Sequence, residues 1–292
     1  MYPYSIIFGI DLYTVFLCIG IIGAIVVFRL FSDRIKMNWR VQNFCILVAF
    51  VSIVIGYLSA VFFQALYDIE SRGGFIIDSS TGATFYGGLI GGAAVFLIVY
   101  FGVGYFSFKD KYHIRSFFPL TDCAAPAIVI AHALGRIGCL FAGCCHGNAT
   151  NCWYGIKMYG NYGYMKYVPV QLFEAIFLFL LFAFLFVRAY KKYTYNLPIY
   201  MSAYGAWRYA IEFLRGDYRG QIFTNAISPS QFIALLMILG GVALFFFEKY
   251  YTKKHKSEID SDAMAILEAR RKRKEEKNAS SDGDKDSEAT ES

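Results

Sequence analysis

Charged side chains interrupt several apolar stretches of this 292-residue sequence. Arg208, Glu212 and Arg215 follow the spacing i, i+4 and i+7, which places them on one face of a helix. Arg136 lies in an earlier apolar stretch, between two glycines of a Gly-Arg-Ile-Gly sequence. Ionisable residues are costly inside a membrane, so those that occur there usually face a partner or a functional cavity. The same argument applies to three more residues in apolar stretches, Asp122, His132 and Glu174.

The arginines indicate which chemistry such a cavity would serve. Arg208 and Glu212 alone are equally well explained as a buried ion pair without a function. Arg136 adds a second guanidinium from another helix, so positive charge is left over. Guanidinium groups hold phosphate through paired hydrogen bonds, and the phosphate that abounds in a membrane belongs to lipid headgroups. The residues therefore predict a site for an anionic phospholipid.

Two further stretches combine chemistry with helix packing. Residues 85–92 contain four glycines, a pattern that close packing of membrane helices would explain by itself. Residues 169–174 begin an apolar stretch at a proline, which suits the first turn of a helix. Gln171 and Glu174 then share one face at the spacing i, i+3.

The segment after Arg136 is rich in cysteine. Four cysteines and one histidine fall within residues 139–152, and these residue types suit zinc. However, Cys144 and Cys145 are adjacent and lack the usual spacing of zinc ligands. Free thiols, or a disulfide formed by Cys152, therefore fit this segment better than a metal site.

The composition requires most of the chain to lie in lipid. Hydrophobic residues make up 57% and charged residues 17%, against roughly 45–50% and about 25% in soluble domains. Apolar runs of about 20 residues, enough for a helix to cross a bilayer, occur seven times and lack the alternation of barrel strands. The sequence predicts an all-α polytopic membrane protein with seven transmembrane helices, near residues 9–31, 43–66, 83–105, 119–142, 169–189, 197–214 and 229–248.

The distribution of charge predicts the orientation. Lysine and arginine concentrate in the first, third and fifth connections and after the last span, which places the N-terminus outside and the C-terminus in the cytoplasm. Because these residues flank apolar runs and form no stripe, we expect no nucleic acid partner. Residues 1–252 form the predicted membrane domain. Residues 253–292 hold half of the 22 acidic residues and are predicted to be a charged, partly disordered cytoplasmic tail.

The motifs around Arg136 and Arg208, in this order on seven spans, resemble the prolipoprotein diacylglyceryl transferase family. The resemblance covers most of residues 10–248 and excludes the tail. It implies an enzyme of the bacterial inner membrane that transfers the diacylglyceryl group of phosphatidylglycerol to the thiol of a lipobox cysteine in prolipoproteins, the first step of lipoprotein maturation. It implies no metal and no organic cofactor. The motifs lie at residues 85–92, 122–126, 135–147, 169–174, 204–208, 212–215 and 228–231.

The resemblance also implies roles for individual residues. The family's two essential arginines correspond to Arg136 and Arg208, its sixth-span glutamate to Glu212, and a first-span tyrosine to Tyr13. The expected catalytic residues are Arg136, Arg208, Glu212 and Tyr86. The expected phosphatidylglycerol-binding residues are Arg136, Arg208, Arg215, Tyr13, Gly138, Gly143, Gly87, Gly88, Gln171 and Glu174.

The chain departs from the family pattern at several positions. Tyr86 stands where well-studied members have a histidine, while Cys139 and Cys144 replace an asparagine and a glutamate. An arginine of the second span is missing near Ala60. Two alternatives therefore stay open: a paralogous membrane transferase with a different donor or acceptor, and a non-catalytic lipid-binding membrane protein.

Overall fold

Helices make up most of the computed structural model, which confirms the all-α class. The structure describes residues 10–69, 73–78, 81–108, 111–160, 163–215 and 228–255, with five single positions between 257 and 268. Its helices are α1 Leu12–Arg34, α2 Trp39–Tyr67, α3 Phe85–Ser107, α4 Tyr112–Arg115, α5 Phe117–Ala142, α6 Val170–Tyr190, α7 Asn196–Ile211 and α8 Pro229–Lys254. A 3-10 turn, Glu212–Leu214, directly follows α7. The interpretation of the tail as partly disordered concerns residues that lie almost entirely outside these ranges.

The long helices have the character of membrane spans. Within the described ranges, six helices are long and apolar enough to cross a bilayer, so the chain is a multi-pass membrane protein. Large apolar side chains such as Phe50, Ile98 and Phe246 are more than 60% exposed, which in a protein of this composition marks contact with lipid. The sixth predicted span corresponds to α7, which has only 16 residues. Its length of about 24 Å is less than the roughly 30 Å of a hydrocarbon core.

A short β-hairpin connects α5 to α6. Strands β1 Ile156–Gly160 and β2 Gly163–Tyr167 pair antiparallel, with Met158 opposite Met165, and Ala149 bridges Tyr167 beyond the hairpin. The sequence analysis did not predict this hairpin, because two five-residue strands between apolar spans produce too little alternation to be recognised. The hairpin holds the segment that follows α5 against the beginning of α6.

The described chain forms two compact units. The first combines residues 1–35 with 118–256 and contains α1, nearly all of α5, the hairpin and α6 to α8. The second combines residues 36–117 with 257–292 and contains α2 to α4. The arginines and glutamates predicted to form the site all belong to the first unit, whereas Tyr86, Gly87 and Gly88 belong to the second.

Small residues let helices of the first unit approach closely. A Cβ atom added to Gly205 of α7 would lie 2.8 Å from the backbone oxygen of Ala234 on α8. A Cβ atom on Gly138 of α5 would lie 3.2 Å from Cδ2 of Tyr13 on α1. This mode of packing is typical of membrane helices, where small residues bring backbones together. Aliphatic and tyrosine side chains form the core, namely Val129, Ala133, Leu178, Leu181, Leu185, Tyr200 and Tyr204.

Two carboxylates from other helices cap the N-terminus of α7. The backbone N–H of Asn196 donates to Asp122 Oδ1 at 2.6 Å, and that of Tyr195 donates to Glu248 Oε1 at 3.2 Å. Arg188 Nε donates to the side-chain oxygen of Asn196 at 3.1 Å. Negative charge stabilises a helix N-terminus, so Asp122 has a structural role here, although its position in an apolar stretch suggested a functional one.

In the second unit, glycines of α3 pack against α2. A Cβ atom on Gly88 would lie 3.3 Å from Cβ of Ala60, and one on Gly92 would lie 3.3 Å from the backbone oxygen of Ser52. Ser59 Oγ donates a hydrogen bond to the carbonyl oxygen of Gly87 at 2.9 Å. The glycine-rich stretch 85–92 thus packs closely against a neighbouring helix, as its composition indicated.

Candidate functional site

The first half of the site is an ion pair between α5 and α6. Arg136 Nη2 lies 3.1 Å from Glu174 Oε1, and the Glu174 side chain is fully buried. The same oxygen accepts a hydrogen bond from the Tyr204 hydroxyl at 2.6 Å. His132 Nε2 lies 3.9 Å from it, and His132 Nδ1 lies 3.1 Å from the hydroxyl of Tyr200. The Glu174 carboxylate on α6 therefore contacts groups from two other helices, α5 and α7.

The second half of the site lies at the C-terminal end of α7. Arg208 Nη2 lies 2.8 Å from Glu212 Oε2, which confirms the pairing predicted from their spacing. The same Nη2 donates to Ser230 Oγ at 3.1 Å, and Ser228 Oγ donates to Glu212 Oε1 at 3.1 Å. Arg215 Nε is 4.0 Å from Glu212 Oε2. Two serines at the start of α8 thus hold the pair in place.

The two halves face each other because of the geometry of α7. Tyr204 contacts Glu174, and Arg208 follows it one turn later on the same helix face. The close approach of α7 and α8 at Gly205 brings Arg208 to Ser230. Sequence reasoning identified both arginines but assigned no role to Tyr204 or Ser230. Their sequence signals are that they fall within stretches 204–208 and 228–231, which carry the family resemblance, and that they lie one turn from Arg208 and in the first turn of the next span.

Several buried polar atoms of this site have no hydrogen-bond partner within the described chain. They include two guanidinium nitrogens, Arg136 Nε and Arg208 Nη1, and the indole nitrogen of Trp207. Three arginines, at 136, 208 and 215, face two glutamates, at 174 and 212. Unpaired buried donors are the feature that a phosphate-bearing ligand satisfies, because phosphate oxygens accept several charge-assisted hydrogen bonds.

A helix-ending turn determines the path of the chain after Arg136. Gly143 has a φ of +73°, a left-handed conformation that glycine adopts at low cost. The N–H of Cys144 donates to the carbonyl oxygen of Cys139 and that of Gly143 donates to Leu140, both at 3.2 Å. This pair of bonds is a Schellman motif, which ends α5 and reverses the chain. Cys145 also has a positive φ, +61°, so the turn continues through it.

The turn brings three thiols together. The sulfur atoms of Cys139, Cys144 and Cys145 all lie within 4.8 Å of one another. All seven cysteines are free, including Cys152, in agreement with the expectation of free thiols. The sequence analysis did not predict that the three thiols come together, because it did not consider the reversal at Gly143, and its expectation that they bind no metal stays a prediction. Hydrogen bonds from the thiols of Cys139 and Cys144, and then the charges of Arg215 and Arg136, lower the pKa of Cys145.

The loop that carries these cysteines is hydrogen-bonded to α6 and to the segment at the end of α7. The side-chain amide of Gln171, on α6, donates to the carbonyl oxygen of Cys144. Gly147 forms an isolated bridge with Arg215, and the N–H of Asn148 donates to the carbonyl oxygen of Leu214 at 3.1 Å. The end of α5, the start of α6 and the end of α7 therefore meet at this loop.

The remaining predicted site residues, Tyr13, Tyr86, Gly87 and Gly88, lie on helices other than those that carry the arginines. Tyr13 is packed on Gly138, which lies two residues after Arg136, and 37% of the surface of Tyr13 is exposed. Gly87 and Gly88 pack on α2 in the second unit. Tyr86 belongs to helix α3, and its side chain lies outside the described part of the structure. Substrate binding by these residues stays a prediction.

Comparison with known proteins gives a consistent set of relatives. A family model described as prolipoprotein diacylglyceryl transferase matches residues 3–247. The phosphatidylglycerol–prolipoprotein diacylglyceryl transferase 2 of Clostridium perfringens is 30% identical over 262 residues, covering 86% of this chain and 97% of that protein. The corresponding transferase of Clostridium tetani is 30% identical over 255 residues, covering 84% and 96%. That of Dehalococcoides mccartyi is 33% identical over 184 residues, covering 60% and 65%.

Proposed function

Because the chain belongs to the prolipoprotein diacylglyceryl transferase family, we propose that it transfers the diacylglyceryl group of phosphatidylglycerol to the thiol of a lipobox cysteine in a prolipoprotein. One observation carries the assignment of this chemistry to the arginine site. Arg136 Nε and Arg208 Nη1 are buried and have no acceptor within the described chain. The phosphodiester of phosphatidylglycerol offers the oxygens that these two donors lack.

The proposed reaction forms one bond and breaks another. The thiolate of the acceptor cysteine attacks the glyceryl carbon that carries the phosphate ester. The bond between that carbon and the ester oxygen breaks, its electron pair stays with the oxygen, and glycerol phosphate leaves. Arg136 and Arg208 stabilise the negative charge that develops on the departing phosphate. Glu174 and Glu212 act as positioning residues, since each holds one of the two guanidinium groups.

The acceptor must lose its proton, because the thiolate is the nucleophile. The positive field of the arginines favours that loss. Tyr86 is the proposed proton relay, although a phenol with an ordinary pKa of about 10 is a weak base at neutral pH. We therefore expect Tyr86→Phe to reduce the rate less than loss of either arginine. The thioether-forming rate of each purified variant measures this.

Other residues complete the proposed lipid site. Arg215 adds a third positive charge beside Glu212. Tyr13 and Gly138 support α5 next to Arg136, because Tyr13 packs on Gly138. Gly143 and Gln171 support the turn that follows, because Gly143 ends α5 and Gln171 donates to the Cys144 carbonyl oxygen. The roles proposed for Gly87 and Gly88 rest on the family resemblance.

The placement in the membrane is part of the proposal. We propose that α7 is a seventh, short crossing, with the local bilayer thinned or the flanking residues reaching to the interface. The N-terminus then lies outside and the C-terminus in the cytoplasm, as the basic loops indicate. Residues 1–252 form the transferase domain in the bacterial cell inner membrane, and residues 253–292 form a cytoplasmic tail. Its partners are phosphatidylglycerol, prolipoprotein lipobox segments and the membrane.

The test uses purified full-length protein, phosphatidylglycerol vesicles and a lipobox peptide. Mass spectrometry detects the diacylglyceryl thioether on the peptide, and vesicles of phosphatidylcholine serve as the donor control. We expect product with the unaltered protein, a rate lower by about 10²- to 10³-fold with Arg208→Gln, and unaltered product with Arg40→Gln, since Arg40 is an exposed arginine of the second unit. Full activity of both Arg136→Gln and Arg208→Gln would refute the assigned site.

A further inference from the structure

The three thiols after Arg136 are arranged as a ligand set. Cys139 lies in the last turn of α5, while Cys144 and Cys145 lie in the turn that reverses the chain, and their sulfur atoms are within 4.8 Å of one another. With zinc–sulfur bonds of about 2.3 Å, a tetrahedral site requires sulfur atoms about 3.8 Å apart. The observed cluster differs from that spacing by no more than about 1 Å, which rotation of cysteine side chains supplies.

Hydrogen bonds to the backbone of this loop hold the arrangement independently of the cysteine side chains. Two backbone hydrogen bonds of the Schellman motif fix Cys144 against Cys139. The amide of Gln171 fixes the Cys144 carbonyl, and the bridge between Gly147 and Arg215 fixes the far end of the loop. A binding site that is held before its ligand arrives loses less entropy on binding.

The surroundings match the charge of such a complex. Three thiolates around a divalent ion carry a net charge of −1, and two arginines lie nearby. Arg136 precedes Cys139 by three residues on α5, and Arg215 bridges Gly147, two residues after Cys145. Soft thiolate ligands select zinc or copper(I) over magnesium or calcium. Among the described residues, no fourth cysteine, histidine or carboxylate joins the group. His146 is turned elsewhere, with Nδ1 3.0 Å from the carbonyl oxygen of Gly147 and its ring packed on Tyr167.

We propose that Cys139, Cys144 and Cys145 bind a zinc ion whose fourth position accepts the thiol of the acceptor cysteine. Three protein ligands with one open position are the arrangement of catalytic zinc sites, whereas structural sites are closed by four. This inference rests on the proposed function for the identity of the thiol. It concerns the proton-removal step, for which Tyr86 is a weak base.

The chemistry balances without an oxidant or a second reactant. When the acceptor thiol binds the ion, its proton passes to solvent, as metal binding to thiols generally releases protons. The sulfur then forms the carbon–sulfur bond, and the electron pair of the broken carbon–oxygen bond leaves with the phosphate. The zinc ion keeps its charge throughout. The position of the thiols on the turn after Arg136 places the nucleophile beside the arginine that holds the phosphate.

The first experiment measures metal binding to the reduced full-length protein in detergent, with Co²⁺ as the spectroscopic probe and Zn²⁺ as the competitor. We expect about one ion per chain, with a thiolate-to-cobalt charge-transfer band. Cys139→Ser, Cys144→Ser and Cys145→Ser should each weaken binding at least about tenfold, and Cys152→Ser, an exposed thiol outside the cluster, should bind as the unaltered protein does. Absence of the band in the unaltered protein, or undiminished binding in the three variants, would overturn the metal site.

The second experiment adds the lipobox peptide to the Co²⁺-loaded protein. We expect the visible spectrum of cobalt to change with the cysteine peptide and to stay constant with its serine counterpart. A constant spectrum with both peptides would overturn the open position. The Arg208→Gln variant should show the same spectral change, because thiol binding does not require the phosphate site.

The outcomes separate this inference from the proposed function. Thioether formation by protein that elemental analysis shows to be free of metal would overturn the zinc inference and leave the transferase function intact. Metal and peptide binding without any thioether would overturn the transferase function and leave the zinc site intact. Size-exclusion elution of each serine variant reports whether it has folded, and the titration of the unaltered protein decides the question even if a variant has not.

Discussion

Two buried polar clusters lie near the two ends of α7, and they differ in whether their charged groups have hydrogen-bond partners within the protein. The cap cluster at the N-terminus comprises Asp122, Arg188, Asn196 and Glu248. The arginine cluster near the C-terminus comprises Arg136, Glu174, Tyr204, Arg208, Glu212 and Ser230. From residue 196 to residue 208 the helix rises about 18 Å, so the two clusters are distinct.

The cap cluster has more carboxylates than arginines, and these carboxylates accept hydrogen bonds from the protein's own backbone. Two carboxylates face one arginine and two backbone N–H groups at the start of α7. The positive end of the helix dipole lies there, so the carboxylates stabilise the helix. One oxygen of Glu248 has no hydrogen-bond partner among the described residues, but its other oxygen caps the helix.

The arginine cluster contains guanidinium donors that have no acceptor within the described protein. A buried donor without an acceptor costs about 1–3 kcal/mol, and this cluster retains guanidinium donors of that kind at Arg136 and Arg208. The comparison teaches that buried charge alone does not identify a functional site, since both clusters contain it. The unpaired donors distinguish the two clusters.

The largest effect is expected at Arg208. Arg208→Gln should lower the rate of thioether formation by about 10²- to 10³-fold, the usual loss when one donor to a developing anion is removed. Its unfolding temperature in detergent should fall, because the buried Glu212 loses its ion-pair partner, but the variant should still fold, since Glu212 keeps the hydrogen bond from Ser228. If the variant unfolds on purification, or if it retains the full rate, the functional role that separates the arginine cluster from the cap cluster would be contradicted.

A smaller loss is expected from Arg136→Lys. The lysine keeps the charge opposite Glu174, so folding should be preserved, but it cannot present the planar fork of a guanidinium to phosphate. We expect the rate to fall by about tenfold to a hundredfold, since a misplaced positioning group costs that much. Titrating the rate with phosphatidylglycerol checks the assignment, and an unchanged dependence on lipid would contradict it.

Asp122→Ala should affect stability and leave the chemistry unchanged. It removes the acceptor for the backbone N–H of Asn196, and leaving a buried donor unpaired costs about 1–3 kcal/mol. Thermal unfolding in detergent measures the loss, and the rate per folded molecule should equal that of the unaltered protein. A large loss of rate without a loss of stability would mean that the cap cluster takes part in function.

The smallest effect is expected at Ser230, which touches the arginine site from α8. Ser230→Ala removes one acceptor of Arg208 Nη2, a bond worth about 1 kcal/mol, and we expect a rate lowered by about fivefold. Ser230→Thr, which retains the hydroxyl, is the matched control and should recover most of the rate. Equal losses in both variants would indicate a packing effect.

Local spacing was enough to predict some of these features. The Arg208–Glu212 pair follows from i, i+4 spacing on one helix, and the glycine packing of α3 follows from its composition. The Arg136–Glu174 pair joins residues on different helices, and periodicity contains no information about which helix faces which. The clustered thiols were missed for a different reason. Their spacing was compared with that of known zinc ligands, without considering that Gly143 could end the helix and reverse the chain.

The turn at Gly143 also has a consequence for the order in which the protein assembles. All three thiols lie within seven consecutive residues, so their cluster closes a very short loop, and such contacts form early and fast. The contact between Arg136 and Glu174 spans 38 positions and requires a later helix. A growing chain therefore acquires its group of sulfur atoms as soon as α5 ends, before the pair that anchors the lipid can exist.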